Sequence, residues 1–243
     1  MPSLSIIIPA YNEEDRLPRY LGSIVKYLTE KNTSYELIIV DDGSTDSTAT
    51  VVEKIMETNP HVKIIRTSQN HGKGFAVKAG MLNACGKLRL FADADGATPI
   101  KELERLRQGI ESGADIAIAS RALHDGSTTV TARLHRKIIG TIFNLVVGLL
   151  AVQDVNDTQC GFKLFTEASA NAIFPLQRIS GFGFDVEILF ICKKKGYRVK
   201  EIPVNWIDIK GSKVKLFRDS WKMFIDVIAI RLNDLRGVYS NRI

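Results

Sequence analysis

Asp93-Ala94-Asp95-Gly96 places two carboxylates one residue apart, directly after the apolar run 88–92. Alternate side chains on an extended segment point to opposite faces. A strand end that turns at Gly96 lets both carboxylates approach one locus, one directly and one through water. Hard oxygen donors of this kind suit Mg²⁺ or Mn²⁺ bridged to a diphosphate, where the ion would offset charge on a leaving group. A solvated Asp-Gly turn has the same composition, so the pair needs further company to signify a site.

Four other segments supply that company. Pro9-Ala10-Tyr11-Asn12-Glu13-Glu14 follows the first apolar run. Its ring and short polar groups could flank a base, and Glu13 could accept from ring N–H or ribose hydroxyls. Asn12, with Asp15 three residues on, would equally serve as a helix N-cap. In Asp41-Asp42-Gly43-Ser44-Thr45-Asp46, Asp46 has a capping role available and the two upstream acids do not. Adjacent carboxylates at a strand end are costly without a partner, so one of them is expected to accept from a nucleoside. Asn70-His71-Gly72-Lys73-Gly74 opens a helix with exposed backbone N–H groups and a cation, a candidate phosphate site that lacks the remainder of a Walker A loop. Ser120-Arg121 ends a fifth run and provides a cation where a diphosphate or acceptor phosphate would need one. The dinucleotide fingerprint GxGxxG is absent after the first run, which argues against a nicotinamide enzyme. His71 and His135 have no partner at metal-ligand spacing and read as solvated histidines.

The elements that must position these residues are legible as an alternation. Strands are expected at 5–8, 36–40, 62–65, 88–92 and 116–119, with helices at 17–30, 46–58, 73–84 and 99–112 between them. That order means an α/β fold, a mostly parallel sheet covered by helices on both faces. After Arg121 the pattern loosens into a polar loop at 124–129 and an apolar helical segment at 132–150. A turn over 157–165 then feeds a short strand, followed by helix 184–195, a strand at 197–206 edged by Pro203, and a long helix at 216–235. No linker separates the two halves, so one domain is expected, with a nucleotide-binding half at 1–121 and an acceptor-binding, membrane-associating half at 122–243.

Composition narrows the partners. A formal charge of +6 favours anionic ones, whether nucleotide, nucleic acid or an anionic membrane surface. No finger, ribbon or RNP motif supports nucleic acid. Cys85, Cys160 and Cys192 stand far apart and read as thiols, not as a disulfide or zinc framework. No signal peptide or transmembrane helix is expected, because the apolar stretch 138–152 would form a helix of only ~22 Å against ~30 Å of hydrocarbon. Two amphipathic interfacial helices are expected instead. Arg133, Arg136 and Lys137 precede the first, and Phe217, Trp221, Phe224, Ile228, Leu232 and Leu235 recur along the second. An interface in a homo-oligomer could absorb the same apolar area. Arg133 or Arg136, with Arg121, could grip a phosphate at headgroup level, and Lys213, in the small-residue loop 211–215, could close over a second phosphate group.

These strand-end elements in this order resemble the GT-A, Rossmann-like, family 2 inverting glycosyltransferases. The resemblance implies that Pro9, Tyr11, Asn12, Glu13, Asp41, Asp42 and Gly43 hold the nucleoside and that Asp93 and Asp95 hold Mg²⁺ or Mn²⁺ and the sugar diphosphate. The later segments 157–165, 183–189 and 204–213 are similar to dolichyl-phosphate β-glucosyltransferases, with dolichyl-phosphate mannose synthases as near relatives. The implied reaction is inverting transfer of a hexose to dolichyl or polyprenyl phosphate, with UDP-glucose favoured over GDP-mannose, in a peripheral, monotopic enzyme on the cytoplasmic face of the membrane. By the same resemblance Asp157 faces donor sugar and acceptor, and Gln159 belongs to the sugar or metal shell. A nucleotide-sugar-binding module without catalysis, or a membrane adaptor, is the alternative of another class.

Overall fold

The computed structural model describes residues 1–131, 151–152, 154–209 and 216–240, with the side chains of 216–220 left aside. Its centre is a seven-stranded sheet of order β3-β2-β1-β4-β7-β5-β8. The strands are β1 Leu4–Ala10, β2 Tyr35–Asp41, β3 Val62–Arg66, β4 Leu88–Ala92, β5 Ile116–Ser120, β7 Phe162–Thr166 and β8 Val199–Pro203. A separate two-stranded ribbon pairs β6 Val130–Thr131 with β9 Trp206–Ile207. The helices are α1 Leu17–Glu30, α2 Thr48–Thr58, α3 Lys73–Asn83, α4 Leu103–Glu111, α5 Glu167–Ile173, α6 Phe184–Lys194 and α7 Leu216–Leu235.

The central strands are apolar at nearly every position because both faces are covered. Leu4, Ile6 and Ile8 of β1 pack with Leu37 and Ile39 of β2 against Leu17, Leu21, Ile24 and Leu28 of α1. Their neighbours Ile7, Ile38 and Val40 point the other way, into a second core with Val77 and Met81 of α3 and Phe184 and Ile188 of α6. The two-residue period of a strand thus sorts one apolar run into two cores.

Strand order reverses at β1, which pairs with β2 on one side and β4 on the other, all parallel. A crevice at the C-terminal ends of such strands is where open α/β sheets hold ligands. The expected mostly parallel sheet carries one exception. β7 runs antiparallel between β4 and β5, with Ala92 opposite Phe162. Its N-terminal end therefore lies at the C-terminal edge of β4, which brings the loop 157–161 beside Asp93.

Other differences are local. The strand expected at 197–206 divides into β8 and β9, because Pro203 ends the pairing with Ser120 and the chain crosses to the ribbon. Helix α5 was not foreseen; it begins at Thr166, whose side chain accepts from the Ser169 amide. Asp46 does not occupy the cap position of α2, which is Ser47, but its carboxylate accepts from the Thr48 amide in the first turn. The amphipathic helix expected at 132–150 falls outside the described residues. Helix α7 is present, and among the described residues no helix is long and apolar enough to cross a membrane.

Candidate active site

A cavity of about 660 Å³ opens at the C-terminal edge of β1, β2 and β4. Asp93 and Asp95 both reach it, with Pro9, Tyr11, Glu13, Arg16, Asp42 and Lys73, and Lys222, Met223, Ile225 and Asp226 of α7 form part of its wall. Asp93 is held in place by its backbone, whose amide donates to the Gly161 carbonyl at 2.9 Å. Its side chain lies over Gly161 so closely that a Cβ there would stand 2.0 Å from Asp93 Oδ2. Lys73 Nζ sits 2.6 Å from Asp93 Oδ1, near the faces of Phe91 and Phe184. Burial opposes the Lys73 charge, but Asp93 and Asp185 outweigh it and hold its pKa above the ordinary lysine value.

Asp95 is raised above the usual carboxylate range, first by burial and then by the neighbouring Asp93 charge. A divalent cation would relieve both, and two carboxylates facing an open cavity are a fitting donor set for Mg²⁺ or Mn²⁺. Among the described residues no cluster of three or more His, Cys, Asp or Glu could hold an ion unaided, so such an ion would draw its other ligands from substrate and water.

Several of the expected site residues already have protein partners. Asp42 faces the cavity, yet its carboxylate accepts from the amides of His71 at 3.0 Å and Gly72 at 2.7 Å. Asp42 is therefore the anion at the N-terminus of α3. Gly74 and Phe75 donate their amides to the Ser180 carbonyl, so the His71, Gly72 and Gly74 amides of the phosphate nest expected at 70–74 are already engaged, and the Lys73 side chain remains the cation of that segment facing the cavity. Asp41, 1% exposed, is absent from the cavity wall. It accepts from the Ser44 amide, with Arg66 3.7 Å away, and closes the turn at Gly43. Asn12, at φ 54°, accepts from the Thr45 amide at 2.8 Å and ties the β1 loop to the β2 loop, while α1 starts only at Leu17. Glu13 lines the cavity and takes Arg16 Nε at 2.7 Å and Nη2 at 2.5 Å, a two-pronged guanidinium clamp. Exposed His71 lies on the cavity rim, its ring 4.5 Å from that of Phe75.

Beside this cavity stands a second charged group. Arg121 donates to Asp157 through its backbone amide, Nε and Nη2 at 2.7–2.9 Å, and its guanidinium lies 5.4 Å from the Trp206 ring. Burial opposes ionisation of Asp157, but the Arg121 charge and hydrogen bonds prevail and hold it below the usual carboxylate range. Asp157 is a poor proton acceptor in this state and a good orienter of Arg121. Gln159 sends its backbone amide to Asp157 Oδ1, and its Nε2 is buried without a hydrogen bond among the described residues. Neither Arg121, Asp157 nor Gln159 lines the 660 Å³ cavity, although the Asp93 charge is felt at Arg121. Arg133, Arg136 and Lys213 lie outside the described residues.

The glycosyl transferase family 2 model matches residues 5–174. The chain belongs to that family. It is 41% identical over 248 residues to a dolichyl-phosphate beta-glucosyltransferase of Dictyostelium discoideum, covering 97% of this chain and 76% of the relative. The enzymes of the same name from Saccharomyces cerevisiae and Homo sapiens are 40% and 36% identical, with 97% of this chain covered in each case and 76% and 77% of the relative. Among solved structures, a Mycobacterium tuberculosis glucosyl-3-phosphoglycerate synthase with Mn²⁺, UDP-glucose and phosphoglyceric acid has a TM-score of 0.69 at 16% identity, covering all of this chain and 81% of the other. A Pyrobaculum calidifontis mannosyltransferase with GDP-Man and Mn²⁺ has a TM-score of 0.64 at 18% identity, covering 96% and 64%. At such identities these structures establish the shared fold.

Two cations of this family 2 glycosyltransferase stand in no motif, Arg16 in the cavity wall and Lys163 outside it. Arg16 looks like any charge near the start of an amphipathic helix, and only its distance of 4.0 Å from Asp95 reveals it as part of the cavity. Lys163 is fully buried in β7, ion-paired with Asp185 and donating to the Cys160 carbonyl at 2.7 Å. Asp185 and Glu187 both stand in the first turn of α6 and could orient basic neighbours. Asp185 does so, while Glu187 accepts from the Arg178 and Ile179 amides and from Tyr239. A run of apolar neighbours around Lys163 was the available signal, since a lone cation in such a run needs a partner.

Proposed function

We propose that this glycosyltransferase moves glucose from UDP-glucose to dolichyl or another polyprenyl phosphate with inversion at the anomeric carbon. The observation that carries the reading is the 36–41% identity, over nearly the whole chain, to dolichyl-phosphate beta-glucosyltransferases from several organisms. The cavity supports it, since it offers ring-flanking groups at Pro9 and Tyr11 and paired carboxylates at Asp93 and Asp95 in one crevice. Mg²⁺ or Mn²⁺ at those carboxylates would supply charge neutralisation to the departing diphosphate. Lys73 reaches the same locus and can shift toward phosphate oxygens.

The acceptor phosphate is already an anion, so attack asks for alignment and cationic neutralisation more than for a strong base. Arg121, locked by Asp157 beside the Asp93 end of the cavity, is suited to that task. Arg133 or Arg136 would join it at the headgroup level, and Lys213 would close on the donor, the 122–243 half thereby serving acceptor and membrane. The exposed apolar face of α7 would rest on the cytoplasmic leaflet. Product analysis tests the proposal: the protein is incubated with a polyprenyl phosphate, Mn²⁺ and, in turn, UDP-glucose, GDP-mannose and UDP-N-acetylglucosamine. Glucosyl-lipid is the expected product. Efficient mannosyl or N-acetylglucosaminyl transfer with no glucosyl transfer would overturn the donor assignment.

A further inference from the structure

Arg16 is a cation whose place in the cavity no motif announces. Its Nε and Nη2 are committed to the two oxygens of Glu13 at 2.7 and 2.5 Å. The remaining terminal nitrogen, Nη1, is shielded from solvent and makes no hydrogen bond among the described residues. Asp95 Oδ2 lies 4.0 Å from it, beyond hydrogen-bond reach. A guanidinium N–H enclosed by protein and left without an acceptor is expensive unless a ligand supplies one.

The surroundings define what that ligand atom must be. The cavity wall carries Asp42, Asp93 and Asp95, so an anion entering it needs opposing cations. Lys73 is drawn to Asp93, and Lys222 of α7, which also lines the cavity, is exposed. Arg16 stands between Glu13, which follows Tyr11 on the base-flanking loop, and Asp95 of the carboxylate pair. Its plane is fixed by the two-pronged Glu13 contact, and its backbone is anchored next to the fully buried Leu17 at the start of α1. A donor fixed before binding loses little freedom when its last hydrogen bond forms.

We propose that Arg16, clamped by Glu13, is a donor-binding residue whose free Nη1–H takes a diphosphate oxygen of the nucleotide. The inference rests on the donor reading given above and adds a contact that does not pass through the carboxylate pair. Glu13 then acts as a positioning residue for Arg16.

Calorimetric titration with UDP and with uridine, each in EDTA and in Mn²⁺, tests this on wild type, Arg16→Gln and Arg16→Lys. Arg16→Gln is expected to weaken UDP about tenfold or more in both media, as loss of a hydrogen bond to a charged group implies, while uridine changes by less than about twofold. Arg16→Lys keeps the charge but loses the fork, and falls between the two. Equal weakening of UDP and uridine would make Arg16 a nucleoside wall, and unchanged UDP affinity would remove it from the site. A loss seen only with Mn²⁺ would mean that Arg16 acts through Asp95, and each of these three results overturns the proposal. Should Arg16→Gln lack the wild-type circular dichroism spectrum, the Arg16→Lys ratio of UDP to uridine decides, an unchanged ratio being the overturning result. Wild-type protein that binds neither UDP nor uridine in either medium would instead remove the donor reading, and this inference with it.

Discussion

Gly161 has no side chain because the Asp93 carboxylate occupies the space where one would be, 2.0–2.3 Å from an added Cβ. Its φ lies outside the left-handed region, so alanine is allowed by the backbone and forbidden only by its neighbour. Gly161→Ala should therefore leave the fold intact while pushing Asp93 away from its present place beside Lys73. A misplacement of about 1 Å at a reacting centre can cost on the order of 100-fold in rate. The expected outcome is a kcat lowered by about that factor, with a melting temperature close to wild type. A variant with wild-type kcat would show that the position of Asp93 over Gly161 is immaterial to turnover.

At the scale of elements, much was readable because two periods alternate along the first 120 residues, and each acidic segment ends an apolar run. The placement of β7 was not readable: an apolar run of five residues signals a strand but carries no direction, and its neighbours are set by pairing with β4 and β5. Lys163 escaped for a related reason, since its partner Asp185 lies on a helix that only the fold brings near. Helix α7 was half legible. Val227 and Ile230 turn into the core, whereas Trp221, Ile225, Ile228, Leu232 and Leu235 are exposed at spacings of four, three, four and three. Phe224, read from the sequence as part of the apolar stripe, is partly buried and stacks on Trp221 at 5.8 Å. Such a continuous exposed stripe is the physical basis for the membrane proposal. Trp221→Ser with Leu232→Ser removes two large side chains that do not line the cavity. Flotation with anionic vesicles should fall about tenfold or more, given ~1.5–3 kcal/mol per buried side chain, while UDP affinity stays within about twofold. Unchanged flotation would exclude this face from membrane contact.

Over the whole molecule, buried charge at the two ends of the sheet works in opposite directions. At the C-terminal edge burial and the Asp93 charge both oppose ionisation of Asp95, a stability cost accepted at a binding site. Asp95→Asn should raise the melting temperature at neutral pH in ligand-free protein while abolishing most transfer, and a lowered melting temperature would contradict that account. Toward the N-terminal ends of the strands, Glu36 is almost fully buried. It accepts from Ser5 Oγ at 2.6 Å, the Cys85 amide at 2.7 Å and Lys63 Nζ at 2.9 Å, joining β1, β2, β3 and the loop before β4. Burial alone would raise its pKa, but these donors prevail and bring it down to about 2. The unfolded carboxyl titrates near its ordinary value of 4.5, so the unfolded chain takes up a proton first as pH falls. The stability Glu36 contributes is thus complete above about pH 4.5 and drains away as pH drops through about 2. Glu36→Gln keeps the shape and removes the charge. It should unfold more readily at pH 7, by about 1.5–3 kcal/mol for hydrogen bonds to a charged group, and the gap from wild type should close steadily in denaturant melts between pH 4.5 and 2. A gap that stayed constant across that window would mean that Glu36 stabilises the sheet edge by shape and packing, without its charge.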